Sequence, residues 1–287
     1  MRTIIPTILK YKCVESTNIT AKQLAREGAA SGTVVLAEEQ TQGRGRLGRH
    51  FFAPPQRGLY MSAILRPDFD ADNVWHENSR SNFHLFGGGI IITAAAAVAV
   101  CKAIEQVCVG VQPQIKWVND VYVEGKKVCG ILVEGVLADS GAMEALVVGI
   151  GINSDMPTED FPEELRETAG SLIGVSKERL AEATLRELFD TVRRENSRSN
   201  YQYLAGESIS RTPDDALLAA YRVRSMVIGK DVQIHQNPNA ALLGEGRLAK
   251  AIDISAEGGL IVRYENGEEE TLISGEISLR LAPSLSG

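Results

Sequence analysis

Gln40-Thr41-Gln42-Gly43-Arg44-Gly45-Arg46-Leu47-Gly48-Arg49 sets three arginines among three glycines in ten residues, directly after the apolar run Thr33 to Ala37. Glycine lets a backbone take positive φ and approach a ligand closely. Guanidinium forks grip carboxylate or phosphate oxygens bidentately and stay charged at any relevant pH. The segment reads as an anion-gripping loop between two strands, with a solvated basic turn as the alternative. It is not a Walker loop, because no Gly-x-x-x-x-Gly-Lys-Ser/Thr occurs. Gly43 to Gly48 has the spacing Gly-x-Gly-x-x-Gly, but apart from Asp68 and Asp70 no acidic residue stands about 20 positions on, where a dinucleotide site needs one.

The 287-residue chain is 44% hydrophobic, enough for one large domain or two unequal ones. A formal net charge of -7 argues against broad nucleic-acid binding and makes the arginine cluster a local positive site suited to a small anion. Cys13, Cys101, Cys108 and Cys129 form no Cys-x-x-Cys, and the four histidines are scattered. Buried thiols in a reducing cytoplasm are therefore expected, with no zinc site. No signal peptide is legible in Met1 to Thr17. Leu85 to Cys101 is apolar but shorter than a membrane span, so a buried helix is expected.

Working outward, Ser16, Thr17 and Asn18 precede a helical pattern over Ala21 to Glu27, where capping accounts for one of the three. Strands are expected over Thr33 to Ala37, Gly58 to Leu65, Gln114 to Trp117, Val128 to Val136 and Ala145 to Ile152, with a tight turn at Glu124-Gly125-Lys126. Helices are expected over Lys177 to Arg194 and Asp214 to Arg224. Asp68 to His84 reads as a surface excursion. Glu77-Asn78-Ser79-Arg80-Ser81-Asn82 recurs as Glu195 to Asn200, which we read as chance in two surface loops. Beyond Val227 come short strands, Asp231 to His235, Gly246 to Ile254, Gly259 to Tyr264 and Glu270 to Ile273, punctuated by Gly258-Gly259 and Asn266-Gly267. A mixed α/β domain followed by a small all-β module results.

The chain resembles the biotin protein ligases over nearly its full length. The resemblance rests on six segments in the family's order: Glu15 to Asn18, Gly43 to Arg49, Lys116-Trp117-Val118-Asn119-Asp120, Lys126 to Glu134, Gly149-Ile150-Gly151-Ile152-Asn153, and Ser274 to Arg280. It implies an α+β fold, a mixed-sheet catalytic domain of the class II aminoacyl-tRNA-synthetase type over residues 1–225, with a small SH3-like β-barrel over 226–287. It implies formation of biotinyl-5'-AMP from biotin and Mg-ATP, then transfer to one lysine of a biotin carboxyl carrier domain. A biotin carboxylate is already ionised near pH 7, so attack on the α-phosphate needs positioning and charge neutralisation more than a base.

By resemblance, Arg44 and Arg46 face the carboxylate and α-phosphate, Arg49 orders the loop and holds pyrophosphate, and Lys127 bridges the reacting oxygens, with Lys126 as the competing assignment. Ser16, Thr17, Asn18 and Gln40 bond the ureido ring, Gly43 and Gly130 admit the ligand, and Trp117 walls the apolar part of the pocket. Phe51, Asn119, Asn153 and Arg280 belong to the nucleotide end. Asp120 orients or deprotonates the incoming lysine. No metal ligand set is read, and Gly43, Gly45 and Gly48 make ordering of the loop on ligand binding an expectation. Two departures stand out: Val118 replaces the family's proline and Phe51 its tryptophan, which puts nucleotide affinity in question. Fourteen residues precede Glu15, so a monofunctional enzyme without operator binding is expected. A homodimer is implied, and membrane association is not. Lipoate-type ligases share the fold, and a silent biotin binder is the non-enzyme alternative.

Overall fold

A computed structural model of the chain describes residues 6–66, 89–203, 215–235, 246–273 and 276–279. Arg280, Ser274, Gly275, the excursion and the Glu77 to Asn82 hexapeptide lie outside them. Twelve strands follow in chain order among the described residues: β1 Thr7–Tyr11, β2 Thr33–Ala37, β3 Gly58–Leu65, β4 Gln114–Lys116, β5 Asp120–Val123, β6 Lys126–Leu137, β7 Met143–Asn153, β8 Asp231–His235, β9 Arg247–Ile254, β10 Leu260–Arg263, β11 Glu269–Leu272 and β12 Glu276–Leu279. The helices are α1 Thr17–Arg26, α2 Ile90–Val107, α3 Lys177–Tyr203 and α4 Asp215–Arg224. The second hexapeptide falls within α3, not in a loop as the sequence suggested, because the amphipathic helix runs on to Tyr203.

Seven strands form a mixed sheet in the order β1-β2-β3-β7-β6-β5-β4, with β1 parallel to β2 and the remaining pairs antiparallel. Period-2 alternation sends side chains to opposite faces. On one face Met61, Ile131, Val148, Ile150 and Ile152 join the alanine-rich α2 in one apolar core. Small alanines let the helix lie close to the strands, and α3 and α4 pack around it. Helix α2 is long and apolar enough to cross a membrane, yet 72% of it is buried inside the fold, as expected of a core helix. On the other face, α1 covers part of the sheet through Ala21, Ala25, Val35, Ile64 and Val147. The rest of that face is open to the site.

Glu124 and Gly125 both take positive φ, 51° and 76°, which suits the two-residue turn joining β5 to β6. The C-terminal strands form an antiparallel sheet in the order β11-β10-β9-β8-β12. Its β11 and β12 lie at opposite ends, so among the described residues this SH3-like sheet is open rather than a closed barrel. It is docked on the larger sheet by polar contacts as well as apolar ones. The Trp117 indole N–H donates to the Gly258 carbonyl at 3.0 Å, and Arg222 of α4 donates to Asp253 at 2.7 Å. Gly258 has φ 84°, and a Cβ there would come within 2.9 Å of Ile90.

Replacing Trp117 by Phe removes the donor and leaves a buried carbonyl unpaired, which costs about 1–3 kcal/mol before any loss of packing. Urea unfolding is expected to show a lower midpoint for Trp117→Phe. An unchanged midpoint would mean that this bond does not hold the two sheets together.

Candidate active site

Alternation alone would fill the open face with side chains. Gly130 pairs with Gly151 across β6 and β7, and Gly149 lies two residues from Gly151 on the same face. These three glycines make a floor without side chains. A Cβ on Gly149 would sit 2.1 Å from Asn18 Oδ1, and one on Gly151 would sit 2.7 Å from the Phe51 ring. A cleft over this floor is lined by Arg44, Arg46, Arg49, Phe51, Lys116, Trp117, Asn119, Asp120, Lys127 and Leu132, with Ile277 from β12 at its edge.

A buried neutral polar cluster, joined to the cleft wall through Leu132, is built from α1, β3 and the strand end before the loop. Thr17 N–H donates to Gln40 Oε1 at 2.9 Å. Asn18 Nδ2 donates to Glu134 Oε2 at 2.8 Å and to the Leu132 carbonyl at 3.2 Å. Both partners can only accept, so the amide orientation is fixed and Asn18 Oδ1 faces Ser62 Oγ at 2.6 Å. Ser62 has one proton and must donate it there. Thr17 Oγ1, 2.8 Å from Ser62 and 3.0 Å from Gln40 Oε1, then donates to one of them. Asn18 thus uses its amide inside the fold and braces Thr17 and Gln40. Ser16, also buried, is the residue preceding α1 and makes no side-chain cap bond.

The charged end comes from the arginine loop and β5–β6. The loop is a short hairpin, with Phe51 N–H donating to the Gly43 carbonyl at 2.8 Å and Gly45 N–H to the Arg49 carbonyl at 2.8 Å. Gly43 is required here, since a Cβ would sit 2.3 Å from the Phe51 carbonyl oxygen. Arg46 donates to Asn119 Oδ1 at 3.2 Å, while Asn119 Nδ2 is tied to the Ile131 carbonyl at 2.9 Å. Lys127 pairs with Asp120 at 2.8 Å. Lys126 instead donates to the Arg166 carbonyl at 3.0 Å and does not line the cleft. Arg44 pairs with Glu134 at 3.3 Å. Burial alone would raise the Glu134 carboxyl, but hydrogen bonds from Asn18 and Lys22 and the charges of Lys22 and Arg44 outweigh it and hold it below the ordinary range.

Of the sequence-predicted residues, Arg44, Arg46, Arg49, Phe51, Trp117, Asn119, Asp120, Lys127 and Gly130 line the cleft, whereas Ser16, Thr17, Asn18, Gln40 and Gly43 are buried and do not line it. Asn153 is buried at the end of β7, where its Nδ2 bonds the Gly170 carbonyl at 2.9 Å, and it does not line the cleft. The Phe51 ring lies across Gly130 and Gly151, edge-on to Tyr60, and packs on the floor of the cleft. Arg280 lies outside the described residues. Sequence reasoning missed Ser62 and gave Glu134 no role. Each carried a signal, a polar residue in the middle of an otherwise apolar β-type run. Cys129 is fully buried beside Lys127, and burial pushes its thiol well up despite that lysine, so it stays protonated.

Residues 11–153 match the Biotin/lipoate A/B protein ligase family, and residues 239–280 match the Biotin protein ligase C terminal domain. A Mycobacterium tuberculosis protein named biotin--[acetyl-CoA-carboxylase] ligase is 30% identical over 251 residues, 85% of this chain and 79% of that one. The bifunctional ligase/repressor BirA of Bacillus spizizenii is 38% identical over 170 residues, 59% of this chain and 47% of its own length. The chain thus spans about half the length of BirA from this species and from Bacillus subtilis. Among solved structures, the biotin protein ligase from Aquifex aeolicus in complex with biotin and ATP superposes with a TM-score of 0.68 at 26% identity, covering 97% of this chain and 100% of that one. Two matched segments in order, a relative aligned over 85% of this chain and the same architecture agree with the cleft's geometry: this chain belongs to the biotin protein ligase family.

Proposed function

We propose that the chain activates biotin as biotinyl-5'-AMP at the expense of ATP and transfers the biotinyl group to a lysine of a biotin carboxyl carrier domain. The observation that carries this reading is a cleft lined by Arg44, Arg46, Arg49 and Lys127, tied through the Arg44–Glu134 and Glu134–Asn18 contacts to a buried neutral hydrogen-bonded cluster at Thr17, Gln40 and Ser62. A ureido ring needs donors and acceptors, and an acid and a polyphosphate need cations. The Aquifex aeolicus relative, described in complex with biotin and ATP, supports the same pair of substrates. Net charge -7 supports leaving out the repressor half of the Bacillus relatives' name.

In the proposed reaction a biotin carboxylate oxygen attacks the α-phosphorus, the bond to the β-phosphate oxygen breaks, and pyrophosphate leaves. Arg46 and Lys127 neutralise charge that builds on the phosphorus oxygens, and Arg49 steadies the departing pyrophosphate. Among the described residues no group of three His, Cys, Asp or Glu stands ready to cage a metal, so magnesium enters with the ATP phosphates as part of the substrate. The acceptor lysine then attacks the acyl carbon, AMP leaves, and the amine proton passes to a base. In this reading Asp120, paired with Lys127 at 2.8 Å, orients or deprotonates the incoming lysine once the phosphates draw Lys127 away. Phe51 and Asn153 serve the nucleotide end, directly or by shaping the floor. The proposal includes a division near residue 226 into catalytic and C-terminal units, a cytoplasmic location, and a homodimer, for which the outer edge of β1 offers a route that sedimentation checks.

Biotin-dependent exchange of labelled pyrophosphate into ATP tests the adenylation step without an acceptor. Arg46→Ala and Lys127→Ala are each expected to lower exchange about 10²- to 10³-fold. Tight biotin binding with no exchange in the wild type would make the protein a silent binder, and exchange driven by lipoate in place of biotin would move it to the lipoate ligases.

Asp120→Asn is expected to slow transfer from preformed biotinyl-AMP more than it slows adenylate formation, by about tenfold or more. Equal losses in the two half-reactions would remove Asp120 from the transfer step.

A further inference from the structure

We infer that Glu134 is a positioning residue that aims the Arg44 guanidinium into the cleft and, through the same carboxylate, fixes the amide of Asn18. This rests on the ligase reading, in which Arg44 meets the biotin carboxylate. Glu134 stands on the site face of β6, opposite Val147. Its Oε2 accepts from Asn18 at 2.8 Å, and its Oε1 faces Lys22 at 3.2 Å and Arg44 at 3.3 Å. Asn18 and Lys22 are four residues apart on α1, hence on one helix face. One carboxylate thus ties helix α1, strand β6 and the arginine loop together.

The case for Arg44 follows from what surrounds it. Gly43 and Gly45 flank it, so no neighbouring side chain confines it, and the hairpin's backbone bonds fix its main chain but not its side chain. Arg44 is nearly half exposed, whereas Glu134 is 16% exposed, so the acid is the anchor and the arginine the tethered arm. The contact uses Nη1. A guanidinium carries further donors in a rigid fork, which leaves an edge for a ligand carboxylate. A free arginine loses its rotamer freedom on binding, and one already tethered loses less. The buried neutral cluster and the cationic wall of the cleft are therefore assembled as a unit.

Glu134→Gln separates this role from a structural one, because an amide oxygen still accepts from Asn18 while the charge facing Lys22 and Arg44 is lost. Biotin binding followed by tryptophan fluorescence is expected to weaken about tenfold, with pyrophosphate exchange at saturating biotin changed by less than about threefold. Glu134→Asp, which keeps the charge, is expected to recover part of the affinity. Because Glu134→Gln acts through Arg44, the double variant with Arg44→Ala is expected to bind no worse than Arg44→Ala alone. Wild-type affinity in Glu134→Gln, or additive losses in the double variant, overturns the inference. Failure of the wild type to bind biotin at all overturns the ligase reading, and this inference with it.

Discussion

The site depends on a place where the central sheet does not pack. Alternation along β3, β6 and β7 gives every strand a second face, and in a compact fold that face is normally filled. Gly130, Gly149 and Gly151 carry no side chains over two adjacent strands, and the space is taken by groups from elsewhere in the chain, with the cleft opening at Gly130. The three glycines do different work. Gly149 lets Asn18 descend onto the sheet, Gly151 accepts the face of Phe51, and Gly130 leaves room for both the Phe51 ring and the Lys127 stem. Side chains at these positions would not merely narrow the cleft; they would displace the residues that form its walls.

Around this floor, each charged group is fixed from a different part of the chain. Lys127 is held by backbone bonds of 2.8 Å to Thr168 and from Gly170, so the long segment after β7 braces the strand that bears it. Asn153, whose buried amide bonds Gly170, steadies that same segment. The β4–β5 hairpin carrying Asn119 and Asp120 is held from below by the Tyr221 hydroxyl, which donates to the Val118 carbonyl at 3.3 Å, and from the side by Trp117 on Gly258. The Trp117–Val118 peptide bond is cis. The C-terminal sheet thus meets the cleft twice, through Gly258 on the hairpin and through Ile277 at the rim.

Most of the secondary structure was legible because it rests on period and punctuation. The ranges of β2, β3 and β8 are those the sequence indicated, and Asp215–Arg224 is off by one residue. What escaped was β1, β5 and β12, each five residues or fewer, too short for alternation to stand out. Motif order singled out residues that line the cleft, Lys127 among them, whereas Lys126 is turned to the Arg166 carbonyl. Ser62 and Glu134 were not assigned because their importance is relational. A serine among apolar strand residues announces burial, but only the register that sets it beside Gly149 shows that it supports Asn18 and Thr17.

Charge in this cleft is held in reserve rather than left bare. Lys127 faces Asp120, Arg46 faces Asn119, and Arg44 faces Glu134, so each of these three cations has an oxygen partner within the chain. Such pairs keep partly buried cations from the full cost of desolvation. An anion that brings more negative charge than these partners supply can draw the cations over without first stripping them from water. Cys129, the one thiol of the described residues within the field of Lys127, lies on the core face of β6 and stays protonated by burial. What the cleft offers is therefore electrostatic: preorganised cations stabilise negative charge where it develops on a bound anion.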